Sequence, residues 1–365
     1  IHNNKFVRFW LDAPQHPIND ALFTRYFTVR YQLYKLTNYM EHTPELEETD
    51  VYLQSMDFAH AWMLGLIPTE EIYRELMGRV NSPTRIKDIT SALDERNHSL
   101  FHSLTQKVVN RILEIELQRG DSETQVTRLA EELHRVYGAE TLIRILQAFG
   151  KDTFIRDSYN WRNTKRGVLS SLLHACYPSP DDDSDTLKSL AGQADISHIR
   201  LVEAAMFAPQ WLELTEKATG WKGLESAAYY FHAHTSECFD DKKKAIIARY
   251  TPIAIEDLQE GAFDIDWFKE AYKTIGKERF EVVYNAAKYI SLSNTHTRAR
   301  KFADAVNGKT KAADAKKEII AKRNKDLLMS YGLIPLGRKA DKELLERYQF
   351  LQKFLKESKE FGAQR

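Results

Sequence analysis

Three side chains in one short segment could bind a transition metal. The segment runs from Tyr229 to Cys238 and contains His232, His234 and Cys238. Imidazole nitrogen and thiolate sulfur are common zinc ligands. No second Cys/His pair accompanies them, and the two histidines would point to different faces of a continuous helix. Two interpretations stand: a zinc site, in an enzyme or a metal-stabilised fold, or a helix end where histidines cap carbonyl groups and aromatic side chains pack.

A second candidate is a run of basic residues between positions 298 and 325. It holds ten Lys and Arg residues against three acidic ones. A pair of basic helices can bind nucleic-acid phosphates and release counterions. The candidate contacts are Arg298, Arg300, Lys301, Lys316, Lys317 and Arg323. Aromatic side chains for stacking bases are not interleaved with them, so a solvated face that meets the acidic residues 45–50 is the alternative.

Motifs that would recruit catalysis are missing from the sequence. There is no glycine-rich phosphate loop, nucleophile elbow, kinase signature or dinucleotide fingerprint. We therefore assign no catalytic residue and favour a non-enzymatic role for this segment. No cofactor is expected, zinc excepted.

Helices must position these side chains, because apolar residues recur at steps of three and four. One such stripe consists of Phe101, Leu104, Val108, Ile112 and Ile115. A second consists of Leu344, Tyr348, Leu351 and Leu355. Three stretches share the plan of helix, glycine turn and helix: Val126–Gly150, Pro209–His234 and Asp266–Ile290. We predict an all-α fold of irregular helical hairpins packed as an array (HEAT-like or α-solenoid-like). Short strands are considered only at Phe6–Leu11 and Tyr250–Ile255.

Helix ends are also marked by residue type. Ser122 and Gln125 fit a capping box that would open a helix reaching about Tyr137. The acidic, proline-containing segment 178–186 cannot form a packed element. We therefore predict an N-terminal helical subdomain at 1–177, a linker at 178–186 and a C-terminal subdomain of hairpins at 187–365.

Composition limits the cellular setting. The 365 residues carry 52 basic and 52 acidic side chains, so no global field attracts nucleic acid or anionic lipid. Two cysteines provide no disulfide framework, which indicates a reducing cytoplasm. The longest uncharged apolar run, Ala61–Ile67, is too short to span a bilayer. Because the chain starts at Ile1 and stops without a polar tail, we expect a piece of a longer protein.

Two stretches resemble a known group of proteins. They are the segment Glu203–Trp211, continuing through Gly220-Trp221 to Tyr229–His234, and the C-terminal segment Leu351–Arg365. Together they resemble large bacterial proteins of unknown function related to the molybdate metabolism regulator (MolR-like). The resemblance implies the helical region of a long bacterial cytoplasmic protein and brings no catalytic residues. Our leading hypothesis is a helical scaffold that binds protein partners or other domains of its own chain.

Overall fold

The computed structural model describes residues 20–39, 53, 55–71, 99–131, 133–156, 161–235, 239–291 and 296–361. In these ranges the regular structure is helical apart from one pair of two-residue strands, which confirms the predicted all-α fold. The chain forms two compact units, residues 1–136 with 162–175 and residues 137–161 with 176–365. The predicted subdomains 1–177 and 187–365, with their linker, remain a prediction.

The first unit contains five of the described helices. They are α1 (Asp20–Tyr39), α2 (Ser55–Met63), α3 (Ser99–Leu117), α4 (Thr127–Glu131) and α6 (Lys165–His174). Strands β1 (Val136–Tyr137) and β2 (Cys176–Tyr177) form the two-stranded sheet, and Tyr137, Cys176 and Tyr177 belong to the second unit.

The other described helices belong to the second unit. They are α5 (Ala139–Phe149), α7 (Ser184–Gln193), α8 (His198–Phe207), α9 (Leu212–Thr219), α10 (Leu224–Ala233), α11 (Asp241–Ile247), α12 (Ile255–Glu260), α13 (Ile265–Ile275), α14 (Lys277–Ala286), α15 (His296–Val306), α16 (Ala312–Lys322), α17 (Lys325–Leu333) and α18 (Ala340–Phe361). Single 3₁₀ turns occur at Pro209–Trp211 and Ala287–Tyr289.

A buried polar network joins α3 to α4 in the first unit. The Glu116 carboxylate is fully buried and pairs with the Arg119 guanidinium. It also accepts hydrogen bonds from the hydroxyls of Thr124, at 2.7 Å, and Thr127, at 3.1 Å. Arg119 donates a further bond of 2.9 Å to the carbonyl of Asn163. These partners replace the water that both charges lose on burial.

Several helices begin at a residue whose side chain caps the first turn. Asp183, Ser197, Asp240 and Asp264 each accept a hydrogen bond from the backbone N–H three residues later. The helix expected from Ser122 to about Tyr137 is wrong, since α4 spans five residues only. The helix begins at Thr127, and the Thr124 and Thr127 hydroxyls donate to Glu116.

Two of the three predicted helix–glycine–helix stretches form hairpins. Helices α9 and α10 pack on each other, as do α13 and α14. Gly220 ends α9 with φ of 66°, a left-handed conformation that glycine adopts without steric penalty. In the third stretch, Val126–Gly150, a strand and Gly138 intervene between α4 and α5, so no simple hairpin forms there.

The strands are also misplaced in the sequence-based prediction. Tyr250–Ile255 forms a turn that leads into α12, and the strands that do form are β1 and β2. The other candidate strand, Phe6–Leu11, lies outside the described residues. The ladder is very short, with Gly138 N–H donating to the Tyr177 carbonyl at 3.0 Å.

Helix α10 lies at the centre of the second unit. It packs against α9 and against α11 to α15. All of its residues from Ala227 to Ala233 are buried. Tyr230 is the aromatic hub: its ring lies 4.9 Å from Phe268 and its hydroxyl donates a 2.8 Å hydrogen bond to the Ala299 carbonyl. A helix that is apolar on every side belongs in an interior.

The long helix α18 closes a separate cluster with α16 and α17. Phe350 and Phe354 are buried there with Ile319 and Tyr331. The guanidinium of Arg347, also buried, donates hydrogen bonds to the carbonyls of Tyr331, Ile334 and Pro335 at the end of α17. The Tyr331 carbonyl also accepts the backbone N–H of Ile334, and the Arg347 cation lies at the C-terminal end of α17, where a positive charge complements the helix dipole. Helix α18 is therefore fixed along one side.

Candidate functional site

His234, one of the two proposed imidazole ligands, is part of the aromatic core. Its Nδ1 lies 2.8 Å from the Tyr230 carbonyl oxygen. Because a carbonyl can only accept, Nδ1 carries the proton. The ring lies 5.6 Å from Phe263 and 5.9 Å, edge-on, from Phe302. Burial lowers the pKa of His234 to about 4, so the side chain is neutral at pH 7.

His232 is also fully buried. Among the residues that the structure describes, neither of its ring nitrogens makes a hydrogen bond. Its ring centroid is 5.8 Å from that of Tyr229. Burial holds the pKa of His232 well below its ordinary value, and the positive charges of Lys243 and Arg156 lower the pKa further. The imidazole is therefore a neutral group whose desolvation is not compensated by a hydrogen bond.

The proposed zinc ligands are only partly placed by the structure. Cys238 lies outside the described residues. Within the described part of the chain, no group of three or more His, Cys, Asp and Glu side chains is arranged to hold a metal ion. The two histidines occupy alternate positions at the end of a helix packed on several sides. A zinc site that uses His232, His234 and Cys238 remains a prediction.

The proposed nucleic-acid contacts are largely engaged within the protein. Arg298 Nε lies 2.7 Å from an Asp326 carboxylate oxygen, and Arg300 Nε donates a 2.9 Å bond to the Tyr284 carbonyl. The Arg323 guanidinium covers the Phe354 ring at 4.5 Å. Guanidinium groups held in this way must break these contacts before they bind a phosphate.

The proposed lysine contacts differ in exposure. Lys316 and Lys317 are exposed on α16, while Lys301 on α15 is half-buried. The Lys316 ammonium lies 5.0 Å from the centroid of Phe350, a cation–π distance. The acidic residues 45–50, proposed to face this basic run, lie outside the described residues. Nucleic-acid binding through this run remains a prediction.

The most exposed apolar surface of the second unit was missed as a site by sequence reasoning. Leu344, Leu345, Tyr348 and Leu355 of α18 are each between 53% and 59% exposed. We call these four residues the α18 face. Arg347, Phe350 and Phe354 cover the buried side of the same helix. The helix thus has two apolar stripes, and the stripe that the sequence periodicity singles out is the one directed to solvent.

A similar arrangement occurs in the first unit. Leu22, Val29 and Leu33 of α1 are 44% to 59% exposed, while Phe23 and Phe27 of the same helix are buried. Phe27 and Phe58 of α2 make an edge-to-face contact at 5.9 Å. A single exposed leucine needs no explanation, but aligned apolar side chains on a helix are typical of binding surfaces.

Fold and surface together define an all-α protein with aromatic cores and exposed apolar helix faces. Among the described helices, none has the length and apolar character needed to cross a membrane. The chain belongs to DUF5724, a family of unknown function whose model matches residues 1–365. Neither the curated proteins nor the solved structures contain a match to it. The family match shows no link to the molybdate metabolism regulator.

Proposed function

We propose that this chain is a helical scaffold that binds protein partners through the α18 face. The observation that carries the proposal is the exposure of Leu344, Leu345, Tyr348 and Leu355 along one regular helix. Their exposed fractions correspond to an apolar area on the order of 400 Å², within the range of the largest apolar patch on a monomeric protein, which is often functional. Covering such a surface removes apolar area from water at about 25 cal/mol per Å².

The buried side of α18 makes this surface a suitable docking platform. Phe350 and Phe354 anchor the helix in the cluster formed with α16 and α17. Arg347 ties it to the last carbonyls of α17. A partner that binds a helix already held in place does not need to order it, and less conformational entropy is lost on association.

The proposal also includes the cellular location and the kind of partner. The resemblance to large bacterial proteins related to the molybdate metabolism regulator supports a cytoplasmic scaffold within a longer protein. Under this proposal the partner is another protein or another domain of the same chain, with nucleic acid and membrane playing no part. The engaged state of Arg298 and Arg300 supports this preference.

Site-specific photo-crosslinking in the native host tests the proposal. A photoreactive phenylalanine analogue replaces Tyr348 on the α18 face or, as the matched control, Gln349 one position away, which is also exposed. We expect position 348 to cross-link to a defined peptide that mass spectrometry identifies, at a yield well above that from position 349. Equal yields from both positions, or none from either, would refute binding through this face.

A further inference from the structure

The α18 face has a negative charge near one end and a positive charge near the other. Asp341 lies seven residues before Tyr348, and Lys359 lies eleven residues after it. Both offsets are close to whole turns of an α-helix, so the three side chains share one side. Asp341 and Lys359 are exposed, and neither makes an ion pair within the described residues. The surface therefore has an apolar centre between one unpaired carboxylate and one unpaired ammonium group.

From this arrangement we infer that the α18 face pairs with the α18 face of a second copy of the chain, with the two helices antiparallel. The inference rests on the proposed function and names the partner. A two-fold axis level with Phe350 places Asp341 of each copy opposite Lys359 of the other. The same axis places Leu345 opposite Leu355 and Tyr348 opposite Gln352. An interface between identical surfaces must be self-complementary in this way.

The charges select the antiparallel arrangement. Side by side in a parallel pair, Asp341 would meet Asp341 and Lys359 would meet Lys359, and like charges repel. Antiparallel helices also bring the opposite ends of their dipoles together. About 800 Å² of apolar surface is removed from water when both faces are covered, and the stems of flanking polar side chains add to it. This area is below the roughly 1,200 Å² at which standard specific interfaces begin, so we expect a weak dimer that dissociates on dilution.

Sedimentation velocity on the full chain, at concentrations from about 1 to 200 μM, tests the inference because this range covers the micromolar dissociation constants of weak dimers. Asp341→Lys and Lys359→Asp each turn two attractive contacts into repulsive ones, so each should weaken dimerisation about tenfold or more. The double variant restores both contacts and should return within about threefold of the original affinity. An equimolar mixture of the two single variants should dimerise, since one copy then complements the other. Gln349→Glu is the control and should leave dimerisation unchanged.

Three results would overturn the pairing: a chain that stays monomeric at the highest concentration, single reversals without effect, or a double variant that does not recover. The altered residues are exposed, and unchanged far-ultraviolet circular dichroism confirms that each variant is folded. If the chain is monomeric while position 348 cross-links to another protein, self-pairing fails and the proposed function stands. If cross-linking from position 348 also fails, both are wrong.

Discussion

Replacing His232 by leucine is expected to stabilise the protein. The imidazole is fully buried, and neither nitrogen has a hydrogen-bond partner in the described part of the chain. Leucine has a similar volume and no polar atoms, so it fills the space in the α10 core without an uncompensated polar group. Burial of an unpaired polar group costs about 1–3 kcal/mol. We expect His232→Leu to raise the free energy of unfolding by about 1–2 kcal/mol at pH 7.

The gain should grow as the pH falls. Burial keeps the pKa of folded His232 well below its ordinary value, whereas the unfolded chain takes up the proton near pH 6.5. Below pH 6.5 the unfolded state binds more protons, so this histidine lowers stability by about 1.4 kcal/mol per pH unit until the folded pKa is reached. Leucine removes this dependence. From pH 7 to pH 5 the advantage of His232→Leu should therefore increase.

Urea denaturation at pH 7, 6 and 5, followed by tryptophan fluorescence, measures these differences. His234→Leu is the matched control: it also removes a buried neutral histidine, but it loses the 2.8 Å bond to the Tyr230 carbonyl. It should therefore weaken the pH dependence without a gain at pH 7. If His232→Leu lowered the free energy of unfolding by more than about 1 kcal/mol at pH 7, or left the pH dependence unchanged, the account of a solvent-free, unpartnered imidazole would be wrong. If His232→Leu destabilised the protein, and a metal chelator destabilised the unaltered protein by a similar amount, the zinc hypothesis would be supported instead.

Three further substitutions test the cores and the basic run by urea denaturation. Glu116→Ala leaves the buried Arg119 guanidinium without its carboxylate and should cost about 3–5 kcal/mol; a loss below about 1 kcal/mol would contradict the buried network. Phe350→Ala should cost about 3–5 kcal/mol, whereas Leu355→Ala on the exposed stripe should cost less than about 1 kcal/mol; similar losses would show that both stripes of α18 are buried. Arg298→Ala removes an internal ion pair and should cost about 1–2 kcal/mol without changing retention on a DNA column at low salt; reduced retention would restore the nucleic-acid hypothesis.

Residue periodicity identified the fold class well because burial of apolar side chains imposes it directly. The stripe through Val108 and Ile112 is buried in α3 as its spacing predicts. The glycines at 220 and 276 separate packed helices. Short elements could not be predicted in this way. The capping pattern at Ser122 did not predict the helix start, because the neighbouring Thr124 and Thr127 hydroxyls bond to the buried Glu116 carboxylate of α3.

The candidate sites were harder to predict, because residue type indicates chemistry but not environment. His232 and His234 have the side chains of metal ligands, yet both are buried among aromatic residues of α10 and its neighbours. The run Ala227–Ala233, apolar except for one histidine, was the available signal of a central helix. In α18, periodicity revealed an apolar stripe but could not show that the Phe350 and Phe354 side would be the buried one.

Hydroxyl-radical footprinting of the α18 face tests the scaffold account most directly. The protein isolated from its native host with bound proteins retained is compared with the recombinant chain at high dilution, and oxidation of Tyr348 and Leu355 is measured in both. Ile320, 58% exposed on α16, serves as the internal reference. We expect Tyr348 and Leu355 to be protected in the native preparation while Ile320 reacts equally in both. Equal oxidation of all three residues in the two preparations would contradict it.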